Sequence, residues 1–449
     1  MTDKIVVARN LFDLREFKKC ADLLCNYAND VDNQTAMFLY HYSLFMHGDM
    51  RKEEEYFENS KLQDMDNHRQ KDRNHATNNT ANNIERILEP LYQAGQLNDL
   101  NCYLFGIAKR ELEKYGEAVE VFATALDKNP CIWSAWVELC KIVSSHDYIE
   151  VFESLKKIQN HWMKNFYLAC LLVEKLKIHQ KYESLCFNVC NGLLCFFKKS
   201  TYIMNQIGHL FYHNQDYNLA QEFFEKIVEI DPYRLENMDT YSNILYVREK
   251  KKELSALAYK CFENNKYSAE TCCVLGNYLS LMGEHTKAVN YFKKALLVDR
   301  NMLGGWTLIG HEYLELKMVP NAIEAYNNAL KIDPKDFRAW YGLGQVYELQ
   351  NMFHYALYYF SRAVSSRPRD YRMWNALGNN YEKLEKKHEA MRCYERSENY
   401  KDREGIALFK KARMYDILGF TEKAVRCFEE NLARKDEERQ VDKVFFCSC

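Results

Sequence analysis

The stretch LGGWTLIGHEYLELKMVPNAIEAYNNALKIDP (residues 303–334) is followed almost at once by a second version of the same pattern, FRAWYGLGQVYELQNMFHYALYYFSRAVSSRP (residues 337–368). Six positions agree between the two stretches, and every pair is separated by the same interval: Trp306 and Trp340, Gly310 and Gly344, Tyr313 and Tyr347, Ala322 and Ala356, Ala329 and Ala363, Pro334 and Pro368. Agreement in phase over this many positions indicates an internal repeat, against which the rest of the chain can be compared.

The interval, about 34 residues, is typical of the tetratricopeptide repeat (TPR), a helix–turn–helix unit. The two helices of a unit are too short and too one-sided to bury an apolar face alone, so neighbouring units must stack. Gly310 lies inside the first helix, where glycine costs about 1 kcal/mol relative to alanine. Its recurrence at the same phase predicts close contact between helices. We therefore expect an all-α fold, a right-handed superhelical TPR solenoid.

From Asp99 onwards the repeat frame continues without an insertion, with units beginning near 99, 133, 167, 201, 235, 269, 303, 337, 371 and 405. The glycine position is occupied in six of these units, by Gly106, Gly208, Gly276, Gly310, Gly344 and Gly378. We expect a continuous TPR array of about ten units over residues 84–438, followed by a tail over residues 439–449.

The amino-terminal region fits the repeat frame less well. REFKKCADLL (residues 15–24) is similar to a second TPR helix and residues 38–45 to a first helix, so residues 1–61 are predicted to form degenerate TPR-like helices. Residues 62–83 are rich in asparagine and charge and almost free of large apolar side chains. Such a segment buries too little surface to offset the entropy of ordering, and we predict a polar disordered insert.

The composition excludes several classes of protein. Of the 449 residues, 47% are hydrophobic and 28% are charged, and the net charge of −2 argues against a nucleic-acid binder. The first ten residues lack the apolar core of a signal peptide, and no apolar run is long enough for a membrane span. The 16 cysteines form no CxxC pair, which is typical of reduced thiols. We expect no membrane association and a location in the nucleus and cytoplasm.

Few residues have the spacing of a catalytic or metal site. His209 and His213 stand four apart on a first helix, a spacing that can hold zinc, but no glutamate base lies between them and no third ligand is evident. Five cysteines could also ligate a metal, but cysteine is more often a small buried side chain in helix packing; they are Cys186, Cys190, Cys195, Cys272 and Cys273. The sequence contains no phosphate loop, nucleophile elbow or paired catalytic carboxylates. We predict that the chain is not an enzyme and has no metal or cofactor.

A TPR solenoid offers a concave groove lined by the first helix of each unit. Projecting the groove-facing unit positions onto this chain predicts the following peptide-binding residues: Glu236, Asp239, Asn243, Glu270, Asn277, His311, Tyr341, Gln345, Glu348, Asn379 and Glu382. The amides can both donate to and accept from an extended peptide backbone, and the carboxylates can bind an arginine of the peptide in a charge-assisted fork. A solvated face without a ligand remains the alternative.

Several stretches are more specific than the general repeat. They are DPYRLENMDTYSNILYVR (231–248), ETCCVLGNYLSLMGEHTKAVNYFKKAL (270–296), WTLIGHEYLELK (306–317) and RAWYGLGQVYELQNMFHYALYYFSRA (338–363). In these stretches the chain resembles the subunit 8 family of the anaphase-promoting complex, a family of TPR scaffold proteins of the cell-division cycle. The resemblance covers roughly residues 99–430 and is densest over 231–396.

This resemblance implies a non-catalytic scaffold subunit of a ubiquitin ligase, the anaphase-promoting complex. It also implies a homodimer formed through the amino-terminal repeats, contacts with other subunits of the complex, and an arginine-bearing co-activator peptide bound in the carboxy-terminal groove. The alternative is a free-standing TPR adaptor, a chaperone or transport co-factor that binds peptide tails. Such an adaptor needs basic residues facing the groove. The carboxylates of the units at 235 and 269 argue against it, whereas Arg338 and Arg372 are a mixed signal.

Overall fold

The computed structural model describes residues 2–28, 30–65, 79–145, 161–176, 183–300, 302–400 and 405–433. Within these ranges the chain consists of α-helices and two short 3-10 turns, Cys25–Tyr27 and Val31–Asn33, and it contains no strand. The predicted all-α TPR fold is confirmed. In the same ranges no helix combines the length and the apolar character needed to cross a membrane.

The chain divides into two compact units, Met1–Gln206 and Ile207–Cys449, which we call the amino-terminal and carboxy-terminal units. The helices of the amino-terminal unit are α1 (Thr2–Asp13), α2 (Phe17–Leu24), α3 (Gln34–Met65), α4 (Asn79–Gln93), α5 (Asp99–Glu111), α6 (Tyr115–Lys128), α7 (Trp133–Ser145), α8 (Trp162–Leu176) and α9 (Glu183–Phe196). The boundary between the two units falls within α10 (Thr201–His213).

The carboxy-terminal unit continues with pairs of helices of nearly constant length. These helices are α11 (Tyr217–Ile230), α12 (Met238–Val247), α13 (Lys251–Asn264), α14 (Ala269–Leu281), α15 (His285–Val298), α16 (Leu303–Glu315), α17 (Val319–Ile332), α18 (Phe337–Leu349), α19 (Phe353–Ser366), α20 (Tyr371–Lys383), α21 (Lys387–Asn399) and α22 (Ile406–Ile417), and a further helix covers residues 421–433.

Most first helices begin where the repeat frame predicts. Seven of them start at residues 99, 133, 201, 269, 303, 337 and 371. Two starts differ, because α8 begins at Trp162 rather than near 167 and α12 begins at Met238 rather than near 235. Asn237 has a left-handed backbone (φ 63°) directly before α12, so the preceding residues form a turn instead of a helix.

The structure differs from the prediction at both ends of the segment 62–83. Helix α3 continues to Met65, and α4 begins at Asn79. Ala81 and Ile84 on α4 are each 1% exposed and belong to the core of the amino-terminal unit. The segment therefore enters the helical packing at its carboxy-terminal end, and residues 66–78 lie outside the described residues.

The recurrent glycines lie where an aromatic ring of the second helix packs against the first. A Cβ atom added to Gly310 would lie 2.5 Å from Cε1 of Tyr326, which is fully buried. The same contact, with the aromatic residue at a constant interval after the glycine, recurs for Gly106 and Phe122, Gly208 and Phe224, Gly276 and Phe292, Gly344 and Phe360, and Gly378 and Tyr394. The glycine thus makes room for the ring that fills the centre of each unit.

Candidate peptide-binding groove

The predicted groove residues that the structure brings together all lie in the carboxy-terminal unit, on the first helices α12, α14, α16, α18 and α20. Glu236 is the exception, because it precedes α12 in the turn at Asn237 and forms an exposed ion pair with Arg234. Its assignment to a groove-facing helix position is therefore wrong. The physical reason is the left-handed residue, which delays the start of the helix.

Asp239 and Glu270 form an acidic pair on the neighbouring helices α12 and α14. Both side chains are half-buried. Burial raises the pKa of Asp239, and the negative charge of Glu270 raises it further. Neither carboxylate forms an ion pair with any residue that the structure describes. This pair therefore concentrates negative charge that no cation of the described chain contacts directly, which is the property a cationic ligand requires.

The other two predicted carboxylates are already paired within the chain. Oε1 of Glu348 lies 2.7 Å from Nζ of Lys383. Oε1 of Glu382 lies 2.9 Å from Nη2 of Arg413, and its Oε2 accepts a hydrogen bond from the Tyr394 hydroxyl at 3.1 Å. A ligand arginine at either residue would have to displace a cation of the protein, so Asp239 and Glu270 are the better-suited carboxylates.

The amides at unit position 9 use part of their hydrogen-bonding capacity inside the protein. Nδ2 of Asn277 donates to Oδ1 of Asn243 at 2.7 Å and to Oγ of Ser242 at 2.8 Å. Asn277 is only 2% exposed, so its amide serves the packing between repeats and little of it is accessible from the groove. The two amides occupy the same phase of consecutive units, and the contact therefore joins neighbouring repeats.

The remaining two amides are also bonded within the protein. Gln345 shares a hydrogen bond with Tyr341. Oδ1 of Asn379 accepts from the Tyr394 hydroxyl at 3.0 Å and from Nζ of Lys410. Each of these amides still carries a second polar atom, so contact with a peptide backbone does not require all of these bonds to break.

His311 and Tyr341 are half-buried side chains between the acidic pair and the later repeats. Nδ1 of His311 lies 2.9 Å from the Tyr326 hydroxyl, within hydrogen-bonding distance. Burial, together with the positive charge of Arg338, lowers the pKa of His311 to about 4. The imidazole is therefore neutral at physiological pH. The Tyr341 ring packs on Phe360, with 5.6 Å between the ring centroids.

Three arginines form a basic wall on α18, on α20 and in the loop between α19 and α20. It consists of Arg338, Arg367 and Arg372. Arg338 and Arg372 were a mixed signal in the sequence, whereas Arg367 was not identified from it. Two of these arginines follow a buried aspartate at the same repeat phase, as Asp336-Phe337-Arg338 and Asp370-Tyr371-Arg372. This Asp-x-Arg motif, which recurs at the same phase of two consecutive units, was the available sequence signal.

The two walls of the groove approach each other inside the carboxy-terminal unit. Nη2 of Arg367 donates to the backbone carbonyl of His213, at the end of α10, at 2.7 Å. The guanidinium also lies 4.5 Å from the ring centroid of Phe337. Desolvation raises the pKa of the half-buried Tyr212, and the charges of Arg338 and Asp239 also act on its hydroxyl. Residues more than 150 positions apart in the sequence are thus in contact within this unit.

The other sequence candidates for metal binding do not assemble into a site. The rings of His209 and His213 stack with 6.4 Å between their centroids, and the thiols of Cys186 and Cys190 are 4.0 Å apart. In the part of the chain that the structure describes, no group of three or more histidine, cysteine, aspartate or glutamate side chains is arranged to hold a metal ion.

The sequence of the chain matches models of known protein families. Residues 1–208 match the family model of Anaphase promoting complex subunit 8 / Cdc23. TPR models match residues 201–234, 269–302, 310–351 and 371–401. A solved structure, the crystal structure of APC/C hetero-tetramer Cut9-Hcn1, is 16% identical with a TM-score of 0.46, covering 95% of this chain and 92% of that chain.

Two relatives align with most of this chain. The anaphase-promoting complex subunit 8 of Arabidopsis thaliana is 38% identical over 320 residues, which are 71% of this chain and 51% of that protein. The anaphase-promoting complex subunit CDC23 of Saccharomyces cerevisiae is 32% identical over 377 residues, covering 72% of this chain and 58% of the yeast protein. The chain thus spans only 51% to 58% of the length of these two relatives. From the amino-terminal family match, the repeats and these relatives together, we conclude that the chain belongs to the anaphase promoting complex subunit 8 / Cdc23 family.

Proposed function

We propose that this chain is a non-catalytic TPR scaffold subunit of the anaphase-promoting complex, a ubiquitin ligase of the cell cycle, in the nucleus and cytoplasm. Family membership supports this proposal. The fold also supports it, since stacked helical repeats present extended surfaces on which several partners can assemble. Co-purification of the tagged chain from native cells tests the assignment. Other subunits of the complex are expected, and recovery of chaperones without those subunits would contradict it.

We further propose that the carboxy-terminal groove binds an arginine-bearing peptide of a co-activator, with the guanidinium at Asp239 and Glu270. The observation that carries this proposal is the acidic pair on α12 and α14, which has no ion-pair partner among the described residues. A guanidinium between the two carboxylates would remove their mutual repulsion and form charge-assisted hydrogen bonds. The free amide atoms of Asn243 on α12 and of Gln345 on α18 are suited to hold the peptide backbone.

Titration of a fluorescein-labelled co-activator segment with one arginine tests this assignment. The change Glu270→Gln should weaken binding by about ten- to hundredfold, since a lost hydrogen bond to a charged group costs about 1.5–3 kcal/mol. Asp239→Asn should have a similar effect. Glu324→Gln is the matched control, because Glu324 is an exposed carboxylate on the second helix α17. If Glu270→Gln and Asp239→Asn weaken binding no more than Glu324→Gln does, the acidic pair is not the arginine site.

The amino-terminal unit is proposed to carry homodimerisation. An aromatic patch of Trp162, Phe166, Phe196 and Phe197 lies on its surface, with centroid distances of 5.4–5.7 Å among the rings of Trp162, Phe166 and Phe197. Phe196 is 84% exposed and Trp162 is 49% exposed. Exposed apolar groups of this kind are typical of protein interfaces, and aromatic residues are enriched there.

The oligomeric state of surface variants, measured by light scattering, tests whether this aromatic patch forms the dimer interface. Phe196→Glu should convert the dimer to a monomer, because it places a charge in an apolar contact. Tyr259→Glu, at a residue of the carboxy-terminal unit that is 64% exposed, should leave the dimer intact. A chain beginning at Lys199 should be monomeric, and dimerisation of that shortened chain would place the interface elsewhere.

One observation favours the second candidate, a free-standing adaptor that binds the carboxylate tails of peptides. The basic wall of Arg338, Arg367 and Arg372 is the type of surface that such tails require. Asp336 and Asp370 offset much of its charge, however. An adaptor of this kind would bind a peptide with a free carboxyl terminus and lose affinity when that terminus is amidated. The scaffold proposal expects amidation to have no effect.

A further inference from the structure

The Asp-x-Arg motif of the basic wall occurs twice, and the later copy forms a complete fork. At Asp370 and Arg372, Nε donates to Oδ1 at 3.2 Å and Nη2 donates to Oδ2 at 3.1 Å. The backbone N–H of Arg372 also donates to Oδ1, at 3.1 Å. Both carboxylate oxygens and one terminal nitrogen of the guanidinium are thus used within the protein, as expected for a bidentate pair.

The earlier copy, at Asp336 and Arg338, is incomplete. Nε of Arg338 donates to Oδ1 of Asp336 at 3.1 Å, and the backbone N–H of Arg338 donates to the same oxygen at 3.2 Å. Oδ2 of Asp336 accepts no hydrogen bond from the described residues, although Asp336 is only 4% exposed. The terminal nitrogens of Arg338 donate to no residue that the structure describes. Oδ2 of Asp336 is itself buried, so the capacity that a ligand can use lies at the terminal nitrogens of Arg338.

Arg338 of the incomplete pair lies on α18, one of the first helices that line the groove, and its side chain keeps 36% of its surface accessible. The hydrogen bond from Arg367 to His213 shows that the repeats around α18 approach the earlier repeats of the same unit. The charge of Arg338 also acts to lower the pKa of His311 and of Asp239. A ligand in the groove can therefore contact Arg338 as well as the acidic pair.

We propose that Asp336 and Arg338 form a second subsite of the groove that takes an acidic residue of the bound peptide. The carboxylate of that residue accepts hydrogen bonds from the terminal nitrogens of Arg338, while Asp336 holds the guanidinium through its Nε. At Arg338 such a residue takes the place that Oδ2 of Asp370 occupies at Arg372. This inference rests on the proposed function, because the same peptide places its arginine at Asp239 and Glu270.

One extended segment of the ligand can present both charges, because an extended chain covers about 3.3–3.6 Å per residue. The test therefore places the acidic residue two positions from the peptide's arginine. A ligand with this charge pattern matches both the acidic pair and Arg338.

A set of labelled peptides with matched protein variants tests this subsite. The reference peptide carries one arginine with a glutamate two residues away, and the test peptide carries glutamine in place of that glutamate. We expect the test peptide to bind the wild-type chain about tenfold more weakly, in line with a lost charge-assisted hydrogen bond. With Arg338→Gln the two peptides should bind alike, because the variant lacks the group that distinguishes them.

Control variants keep the result interpretable. Arg362→Gln, at an arginine on the second helix α19, should retain the tenfold difference. Arg338→Lys keeps the positive charge and should retain part of the difference, and circular dichroism checks that each variant is folded. Equal binding of the two peptides to the wild-type chain would overturn the acidic subsite.

A third peptide, with citrulline in place of the arginine, separates the two hypotheses. Weak binding of this peptide together with equal binding of the glutamate and glutamine peptides would refute the acidic subsite alone. Unchanged binding of the citrulline peptide would refute the arginine site, and with it the proposed function on which the subsite rests.

Discussion

The contact between Gly310 and Tyr326 provides a direct test of how the repeats are packed. In the change Gly310→Ala, the new Cβ atom would meet three ring atoms of Tyr326 at 2.5, 2.7 and 2.8 Å. The ring has little room to move, because it is fully buried and its hydroxyl lies 2.9 Å from His311. Gly304 on the same helix is the matched control, since a Cβ atom there would meet nothing within 4 Å.

The two substitutions should change the free energy of unfolding in opposite directions. Replacing a helical glycine by alanine gains up to about 1 kcal/mol in helix propensity, and Gly304→Ala should show part of this gain. Overpacking a close contact typically costs about 1–3 kcal/mol, and more when the backbone must shift. Since the clash at Gly310 involves a pinned ring, we expect Gly310→Ala to destabilise its repeat by about 1–2 kcal/mol after the propensity gain.

Hydrogen exchange is the appropriate assay, because a repeat protein need not unfold in one step. Protection should decrease in α16, α17 and the repeats on either side, and it should be unchanged in the amino-terminal unit. When Tyr326 is already changed to leucine, the further change Gly310→Ala should reduce protection less than it does in the wild-type chain, because the ring that it would meet is gone. If Gly310→Ala were as stable as Gly304→Ala, close packing against the aromatic ring would be refuted as the reason for the recurrent glycines.

Two further outcomes follow from buried charges. Burial and Arg338 hold the pKa of His311 at about 4, so the unfolded chain binds a proton before the folded chain does, and this residue's contribution to stability should decrease as pH falls from about 6.5 to about 4. NMR titration should find its imidazole neutral in the folded protein at pH 5.5. The Lys109 side chain is 3% exposed, and its Nζ lies 2.7 Å from Oε1 of Glu85. The change Lys109→Met should therefore lower the free energy of unfolding of the amino-terminal unit by about 1–3 kcal/mol. Urea unfolding should show a much smaller effect for Lys141→Met, where the side chain is 64% exposed.

The periodic features of the fold could be predicted from the sequence because one physical cause acts in every repeat. Glycine, alanine, tryptophan and proline recur wherever helices touch or end. The indole of Trp340, for example, donates to the backbone carbonyl of Pro334 at 2.9 Å, and Trp374 makes the same bond to Pro368. The contact of each glycine with an aromatic ring of the following helix was also present as a signal in the sequence, since the two positions recur at a constant interval.

The departures from the frame could not be predicted in this way, because single residues cause them. The left-handed Asn237 shortens α12 and moves Glu236 out of the predicted helix position. The carboxy-terminal end of the segment 62–83 is helical and is stabilised by tertiary burial, as at Ala81, which outweighs the polar composition there. Sequence composition alone does not show which apolar faces a segment will meet.

The sequence predicted which helices line the candidate groove, but it did not predict which groove residues form ion pairs within the protein. The repeat phase indicates which helices line the groove, and it identifies Asp239 and Glu270. It does not reveal that Lys383 and Arg413 already neutralise Glu348 and Glu382. Nor does it show that Arg367 approaches His213, because that contact joins repeats far apart in the sequence.

The central claim, direct contact between a ligand arginine and the acidic pair, is tested most directly by a double-mutant cycle. The labelled arginine peptide and its citrulline version are each titrated against the wild-type chain and against Glu270→Gln. A direct charge-assisted contact should give a coupling free energy of about 1.5–3 kcal/mol, so the citrulline peptide should be insensitive to the protein change. Additive effects within about 0.5 kcal/mol would show that the arginine binds elsewhere and would contradict the proposed site.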